Sequence, residues 1–160
     1  MDNYELVLKL VVFSYNDLCN EVGNDNTAQS IIKRLLAKKL IKRVKYNLYC
    51  VCDINTKNVI ADPYIIASKI NENSYISYHS ALDYYGTRNQ VFYTINVSNE
   101  KGFKNFEFDG YEYLSVKSKY NFGVVNNELM KIKVTDRERT FIDCIDKTNL
   151  AGGHEEMIEW

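Results

Sequence analysis

The chain has 160 residues, its 20 Lys and Arg nearly balance its 21 Asp and Glu, and 46% of its residues are apolar. This composition is typical of a globular protein of one or two domains and excludes a disordered chain. With one Pro and seven Gly, and with no apolar run of 18 residues, the chain is neither collagen-like, nor of low complexity, nor membrane-spanning.

The start of the chain and its cysteines indicate the compartment. Met-Asp-Asn-Tyr-Glu lacks the basic start and the cleavage site of a secretory signal. The four cysteines are too few and too unevenly spaced for a disulfide framework. Cys50 and Cys52 could form a metal pair, but no second pair follows, so we interpret them as small buried side chains. We expect a cytoplasmic protein with reduced thiols and no membrane partner.

Charge is unevenly distributed along the chain. Residues 1–52 hold eight basic and five acidic residues, whereas residues 53–160 hold twelve and sixteen. Residues 26–51 contain seven bases and no acid. A local basic surface on a neutral protein is either a solvated helix surface or a contact surface for nucleic acid.

The first part of the chain predicts three helices. The apolar spacing of residues 4–13 indicates the first, and Ser14 can cap a second that runs to about Val22. Gly23-Asn24-Asp25 then forms a turn, and Asn26 is expected to cap the third helix. Its buried side follows the i, i+3, i+4 pattern of an amphipathic helix, with Ala28, Ile31, Ile32, Leu35 and Leu36.

The opposite side of the third helix is polar and cationic, and a hairpin follows it. Amide groups can pair with adenine edges, and Lys or Arg with guanine. Two β-prone runs, residues 40–44 and 48–51, flank Lys45-Tyr46-Asn47, in which Asn suits a positive φ. Residues 1–52 are therefore predicted to form a winged helix-turn-helix that binds double-stranded DNA. The predicted contact residues are Asn26, Thr27, Gln29, Ser30, Lys33, Arg34, Lys38, Lys42, Arg43, Lys45 and Tyr46.

A polar linker, residues 53–61, leads to a second domain over residues 62–160. Pro63 is expected at the first position of a helix, and a shorter helix is expected to end at Gly86. Residues 91–97, 103–108, 111–116 and 130–134 are β-prone runs that predict an antiparallel sheet, with Asp109-Gly110 as its clearest hairpin. The fold class is thus α+β, a winged helix-turn-helix followed by a mixed α/β domain with an antiparallel sheet.

The last part of the second domain is predicted to be helical. Thr135 and Glu138 form a capping box that opens a helix. Its expected buried side consists of Phe141, Ile142 and Ile145. Gly152-Gly153 breaks the chain, and residues 154–160 begin another helix. We expect the natural domain to continue beyond this point.

Five blocks of the sequence match the pattern of one known family, namely residues 38–43 with Leu48-Tyr49, 62–69, 78–86, 138–144 and 151–153. Together they resemble the AbiEi family of antitoxins from bacterial abortive-infection, type IV toxin–antitoxin systems. Asn47 is a departure, because the family tends to have Gly before the Leu-Tyr of the wing, but Asn tolerates the same backbone region. The resemblance covers nearly all residues, and the later blocks are more specific than the winged helix.

The resemblance implies a repressor and antitoxin. Its winged helix would bind inverted repeats in its own promoter, and its C-terminal domain would counter a nucleotidyltransferase-like toxin without a tight complex. The sequence contains no heptad seam that would specify a dimer, so the oligomeric state stays open.

Three polar clusters could carry catalysis instead. They are His79 with Ser80, Asp109 with Glu112 and Lys117, and Glu138 with Arg139 and Asp143. In the first cluster, helical neighbours point apart, and in the second the two carboxylates fall on opposite strand faces. Capping and i,i+4 pairing account for the third. We therefore predict no enzyme, cofactor or metal; a ligand-sensing regulator with a tyrosine-lined pocket and, less favoured, a metal-dependent nuclease are the alternatives.

Overall fold

The computed structural model of the chain describes residues 2–86 and 92–152. Helices and strands both occur in these ranges, which confirms the α+β class. The described residues form two compact units that divide between Asp62 and Pro63, and we call them the N-terminal and C-terminal units. No helix in this part of the chain is long and apolar enough to cross a membrane.

The N-terminal unit combines three helices with a small antiparallel sheet. The sheet has the strand order β1-β3-β2, so the last strand in sequence is the central one. Its elements are α1 (Asn3–Leu10), β1 (Val12–Ser14), α2 (Tyr15–Val22), α3 (Asp25–Ala37), β2 (Ile41–Lys45) and β3 (Leu48–Val51).

The core of this unit lies between the three helices and the sheet. Phe13 is fully buried and stacks on Tyr49, with ring centroids 5.7 Å apart. Burial of a large apolar side chain contributes about 1.5–3 kcal/mol relative to exposure, so these residues fix the positions of α2 and α3. The other large buried side chains of the cluster are Val7, Leu18, Ile31, Ile32, Leu35, Leu40, Ile41 and Val51.

The predicted first helix is too long. Helix α1 ends at Leu10, and Val11 takes a positive φ of 65°. Residues Val12 and Phe13 instead pair with Cys50 and Tyr49 in the sheet. Their β-branched and aromatic side chains favour a strand once a partner strand is present.

Residues 53–61 are not a free linker, because they fold back on the N-terminal unit. Cys52 and Val59 form an isolated antiparallel bridge, and the Ile60 N–H donates to the Val51 carbonyl at 3.2 Å. The Asp53 carboxylate accepts the N–H groups of Asn55 and Thr56 at 2.9 and 2.8 Å, which closes the turn between them. All four thiols of the chain are free, and those of Cys50 and Cys52 are buried as predicted.

The described residues of the C-terminal unit form a six-stranded sheet. The predicted helix start at Pro63 and the Asp109-Gly110 turn, with φ of 51° and 84°, are confirmed. Its elements are α4 (Pro63–Lys69), β4 (Tyr75–Ile76), α5 (Tyr78–Tyr84), β5 (Thr94–Asn99), β6 (Phe106–Phe108), β7 (Tyr111–Lys117), β8 (Val124–Asn127), β9 (Ile132–Thr135), α6 (Arg137–Asp146) and a 3₁₀ turn over Thr148–Ala151.

This sheet is mixed, so the prediction of an antiparallel sheet was wrong. The strand order is β6-β7-β5-β4-β9-β8, and the pairs β5–β7 and β4–β9 are parallel. Strand β5 pairs with β7 and skips β6, which lies at the edge, because the chain crosses over between them. A sequence of short strands and turns shows where strands lie but not which of them become neighbours.

Helix α6 differs from its prediction in both cap and orientation. Its N-cap is Asp136, whose carboxylate accepts the Arg139 N–H at 2.7 Å, whereas Thr135 belongs to β9. The predicted core residues Phe141, Ile142 and Ile145 are 43, 62 and 53% exposed. The buried side consists instead of Arg139, Thr140 and Cys144.

Arg139 determines this orientation. Its side chain is only 6% exposed, and all five of its guanidinium N–H positions are used in hydrogen bonds. The pairing with Asp143 at 3.0 Å is confirmed. The acceptors are the Tyr120 and Phe122 carbonyls, the Tyr75 and Ser118 hydroxyls and the Asp143 carboxylate. A buried charge of this kind must stay paired, and it holds α6 with its apolar stripe outward.

Some predictions lie outside the described residues. They concern Val91 in the first β-prone run, the break at Gly153 and the helix over residues 154–160.

Candidate nucleic-acid interface

Helix α3 begins with a cap that differs from the predicted one. Asn24 has extended backbone angles, and its side chain accepts the Thr27 N–H at 3.0 Å. Gly23 ends α2 directly before it with a φ of 71°. Asn26 therefore lies inside the first turn of α3, and the prediction that it caps the helix was wrong. The predicted cap of α2 is confirmed, because Ser14 and Asp17 form a reciprocal capping box.

The apolar side of α3 fixes which residues face solvent. Ala28, Ile31, Ile32 and Leu35 are buried, as predicted. An amphipathic helix with one buried stripe must present its opposite side to water. We call that side the α3 face, and its exposed residues are Asn26, Thr27, Gln29, Ser30, Lys33, Arg34 and Lys38.

The β2–β3 hairpin follows α3, and β2 packs against that helix. The turn places Tyr46 with 90% of its side chain exposed and Asn47 at a positive φ of 62°. We call Lys42, Arg43 and Lys45 the hairpin cations; the first two are exposed and the third is half-buried. Burial lowers the pKa of the Lys45 ammonium.

Arg43 is oriented by the core. Its Nη2 donates to the Tyr49 hydroxyl at 3.4 Å, and its guanidinium carbon lies 5.6 Å from the centroid of the same ring. Tyr49 is only 7% exposed and stacks on Phe13. A cation held against a rigid ring loses less side-chain freedom when it contacts a phosphate than a free lysine would.

A long-range contact that the sequence does not reveal holds the hairpin turn. The Asn47 side-chain carbonyl accepts the Tyr15 backbone N–H at 3.0 Å, and this bond joins residues 32 positions apart. An Asn at a turn can bond locally or at a distance, and the sequence does not distinguish the two. The start of α2 is thereby fixed to the tip of the hairpin.

Cations and acids of α2, α3 and the hairpin are separated along the sequence. Asp17 and Glu21 belong to α2, and Asp25 occupies the first turn of α3. The α3 face from Asn26 onward and the hairpin carry only positive formal charges. Residues 26–51 therefore carry basic side chains and no acidic ones, and they follow an acidic helix in the sequence. This charge pattern favours an anionic partner.

The side chains considered as catalytic clusters form hydrogen bonds with other residues of the chain instead. His79 Nε2 lies 3.2 Å from the Thr94 hydroxyl, whereas the Ser80 hydroxyl accepts the Asn96 N–H at 2.9 Å, so base and hydroxyl do not meet. Burial lowers the pKa of His79. Asp109 sits in the hairpin turn before β7. Within residues 2–86 and 92–152, no group of three or more metal-ligating side chains comes together.

The interface offers the chemical groups that duplex DNA requires. Amide and hydroxyl groups on one turn of α3 can bond base edges, and lysine and arginine further along can bond guanine or phosphate. The hairpin cations follow the helix in sequence, and their charge suits contacts with phosphate. No protein-family model and no curated protein sequence matches this chain.

Proposed function

We propose that the chain is a DNA-binding transcriptional repressor and the antitoxin of a type IV toxin–antitoxin system. In this proposal the N-terminal unit is a winged helix-turn-helix. Helices α2 and α3 form the helix-turn-helix, and the β2–β3 hairpin is the wing. The order of three helices, a short strand and a hairpin in one antiparallel sheet supports this reading.

One observation carries the proposal: the α3 face and the hairpin cations are solvent-exposed or partly exposed, and they are uninterrupted by acidic residues. A recognition helix needs exposed side chains that can donate and accept, and a wing needs cations beside it. We infer that the α3 face enters the major groove, while Lys42, Arg43, Lys45 and Tyr46 contact phosphate or the adjacent minor groove.

A salt titration of duplex binding tests this proposal. If roughly four to six cations each neutralise one phosphate, the logarithm of affinity falls against log salt with a slope of about −4 to −5. Lys42→Ala should reduce that slope by about 0.9, because one contact is lost. Lys104→Ala is the matched control, since it removes an exposed lysine of the C-terminal unit. Absence of binding to any duplex at low salt would end the proposal.

The antitoxin role rests on the resemblance of residues 62–69, 78–86 and 138–144 to AbiEi antitoxins. The proposed partners are inverted repeats in the protein's own promoter and, functionally, a nucleotidyltransferase-like toxin that forms no tight complex with it. The protein would act in the cytoplasm. Co-expression with the toxin encoded beside its gene should restore growth. A neighbouring gene of another type, or growth arrest despite expression, would contradict this role.

A further inference from the structure

Tyr15 connects three parts of the proposed interface. It is the first residue of α2, and its backbone N–H donates to Asn47 in the hairpin turn at 3.0 Å. Its hydroxyl donates to the Asp25 carbonyl at the start of α3 at 3.3 Å. The same hydroxyl accepts Nε2 of Gln29 at 3.5 Å. Asp25 and Gln29 are four residues apart on α3, so one phenol reaches both.

The number of protons on this hydroxyl determines how the Gln29 amide is oriented. A phenol has one O–H, and here the Asp25 carbonyl takes it. The Tyr15 oxygen then has only acceptor capacity left, so it can bind the NH₂ end of an amide but not its oxygen. With the amide reversed, two acceptors would face each other. The Asp25 carboxylate, for its part, accepts the Cys19 thiol at 3.3 Å.

The fixed amide presents a defined pair of groups to solvent. Gln29 is exposed, and no other residue of the described chain binds its side chain. Its Oε1 and its second Nε2–H are therefore available side by side. Adenine presents the matching pair in the major groove, an N6 donor and an N7 acceptor, whereas guanine presents two acceptors.

We propose that Gln29 reads an adenine in the major groove and that Tyr15 is the positioning residue that holds the amide in the adenine-reading orientation. This inference rests on the proposed DNA-binding function and adds a base preference to it. Tyr15 does not contact the base. It disfavours the reversed orientation of the Gln29 amide, in which the amide oxygen would face the phenol oxygen.

Selection from a duplex pool with a randomised segment, followed by affinity measurements on the selected duplex, tests this inference. Replacing the adenine read by Gln29 with guanine should weaken binding of the unmodified protein roughly 5- to 150-fold, the range for one bidentate pair. Replacing it with 7-deaza-adenine, which lacks the N7 acceptor, should weaken binding as well. Both penalties should largely disappear in Gln29→Ala.

Tyr15→Phe separates positioning from a purely structural role. It keeps the backbone bond to Asn47, so the amide of position 15 should stay protected from hydrogen exchange. The adenine-over-guanine ratio should nevertheless fall several-fold. A structural defect would instead weaken both duplexes equally. Tyr93→Phe, which removes the hydroxyl of an exposed tyrosine of the C-terminal unit, should leave the ratio unchanged.

The outcomes distinguish this inference from the function on which it rests. Two results would overturn the base-reading role alone while duplex binding persists. One is an adenine preference that survives Gln29→Ala, and the other is an unchanged adenine-over-guanine ratio in Tyr15→Phe. Failure to bind any duplex overturns both.

Discussion

Replacing Asn47 by glycine removes one hydrogen bond and keeps the backbone of the hairpin turn. Asn47 has a φ of 62°, which glycine adopts without steric cost. Its side chain accepts the partly buried Tyr15 N–H at 3.0 Å. Loss of this bond costs about 1 kcal/mol, and the greater freedom of glycine in the unfolded chain adds about 0.4–1 kcal/mol. We expect Asn47→Gly to destabilise the N-terminal unit by about 1.5–2 kcal/mol on these grounds.

Asn47→Ala provides the comparison. Alanine also loses the bond but pays about 1–2 kcal/mol for the left-handed backbone, so the total reaches about 2–3 kcal/mol. The matched control is Tyr46→Ala in the same turn, whose side chain is 90% exposed. It should change stability by no more than about 0.5 kcal/mol.

Residue-resolved hydrogen exchange on the full chain is the measurement. Exchange of the Tyr15 amide should accelerate at least about fivefold in Asn47→Gly, the factor that corresponds to 1 kcal/mol. Denaturant unfolding ranks the stabilities of Asn47→Gly, Asn47→Ala and Tyr46→Ala. A Tyr15 amide that remains fully protected, or an alanine variant no less stable than the glycine variant, would refute this account of the turn.

Three further perturbations test other parts of the molecule. Lys39 takes a φ of 58° after the end of α3, so Lys39→Gly should raise the free energy of unfolding by about 0.5–1 kcal/mol in a urea titration, and a loss of stability would contradict it. Arg139→Met leaves Asp143 and two backbone carbonyls without their donor, so it should destabilise the C-terminal unit by about 3–5 kcal/mol, and adding Asp143→Asn should recover part of that loss. Burial lowers the pKa of His79, so between about pH 7 and 5 the unfolded state binds more protons than the folded state. The free energy of unfolding should therefore decrease as the pH is lowered through the ordinary histidine pKa of about 6.5. His79→Gln should flatten this pH dependence; a profile identical to that of the unmodified protein would exclude His79 as the cause.

Local patterns predicted those features that depend on neighbouring residues. The apolar spacing of α3 fixed its buried side, and the position of Pro63 at a helix start followed from its fixed φ. The turns at Asn47 and at Asp109-Gly110 were predicted because few residue types tolerate a positive φ. The exposure of the candidate interface residues on α3 depends mainly on such local features, which is why it could be predicted from the sequence.

Features set by distant partners could not be predicted in this way. Val12 is strand-like only because Cys50 lies opposite it, 38 positions later. Two asparagines could cap α3, and the αL end of α2 at Gly23 selects Asn24, which precedes the predicted one.

Hydrophobicity alone gave the wrong side of α6. Hydrophobicity predicts that Phe141 and Ile142 are buried. The hydrogen bonds of Arg139 instead orient the polar side of α6 toward the interior, so both residues are exposed. Acceptors for Arg139 come from residues 75 to 143, and no local pattern reveals them. The same limitation explains why Tyr15 was not recognised as a partner of Gln29, 14 positions away.

The order β1-β3-β2 has a consequence for biosynthesis. Strand β3, the central one, is the last of the three to be made, so β1 and β2 have no partner until residue 51 has emerged from the ribosome. All strands of the N-terminal unit, with the bridge at Val59, are therefore outside the ribosome before any strand of the C-terminal unit emerges. Since domains generally fold as units during synthesis, we expect the nascent chain to acquire its first folded body while the rest is still being translated.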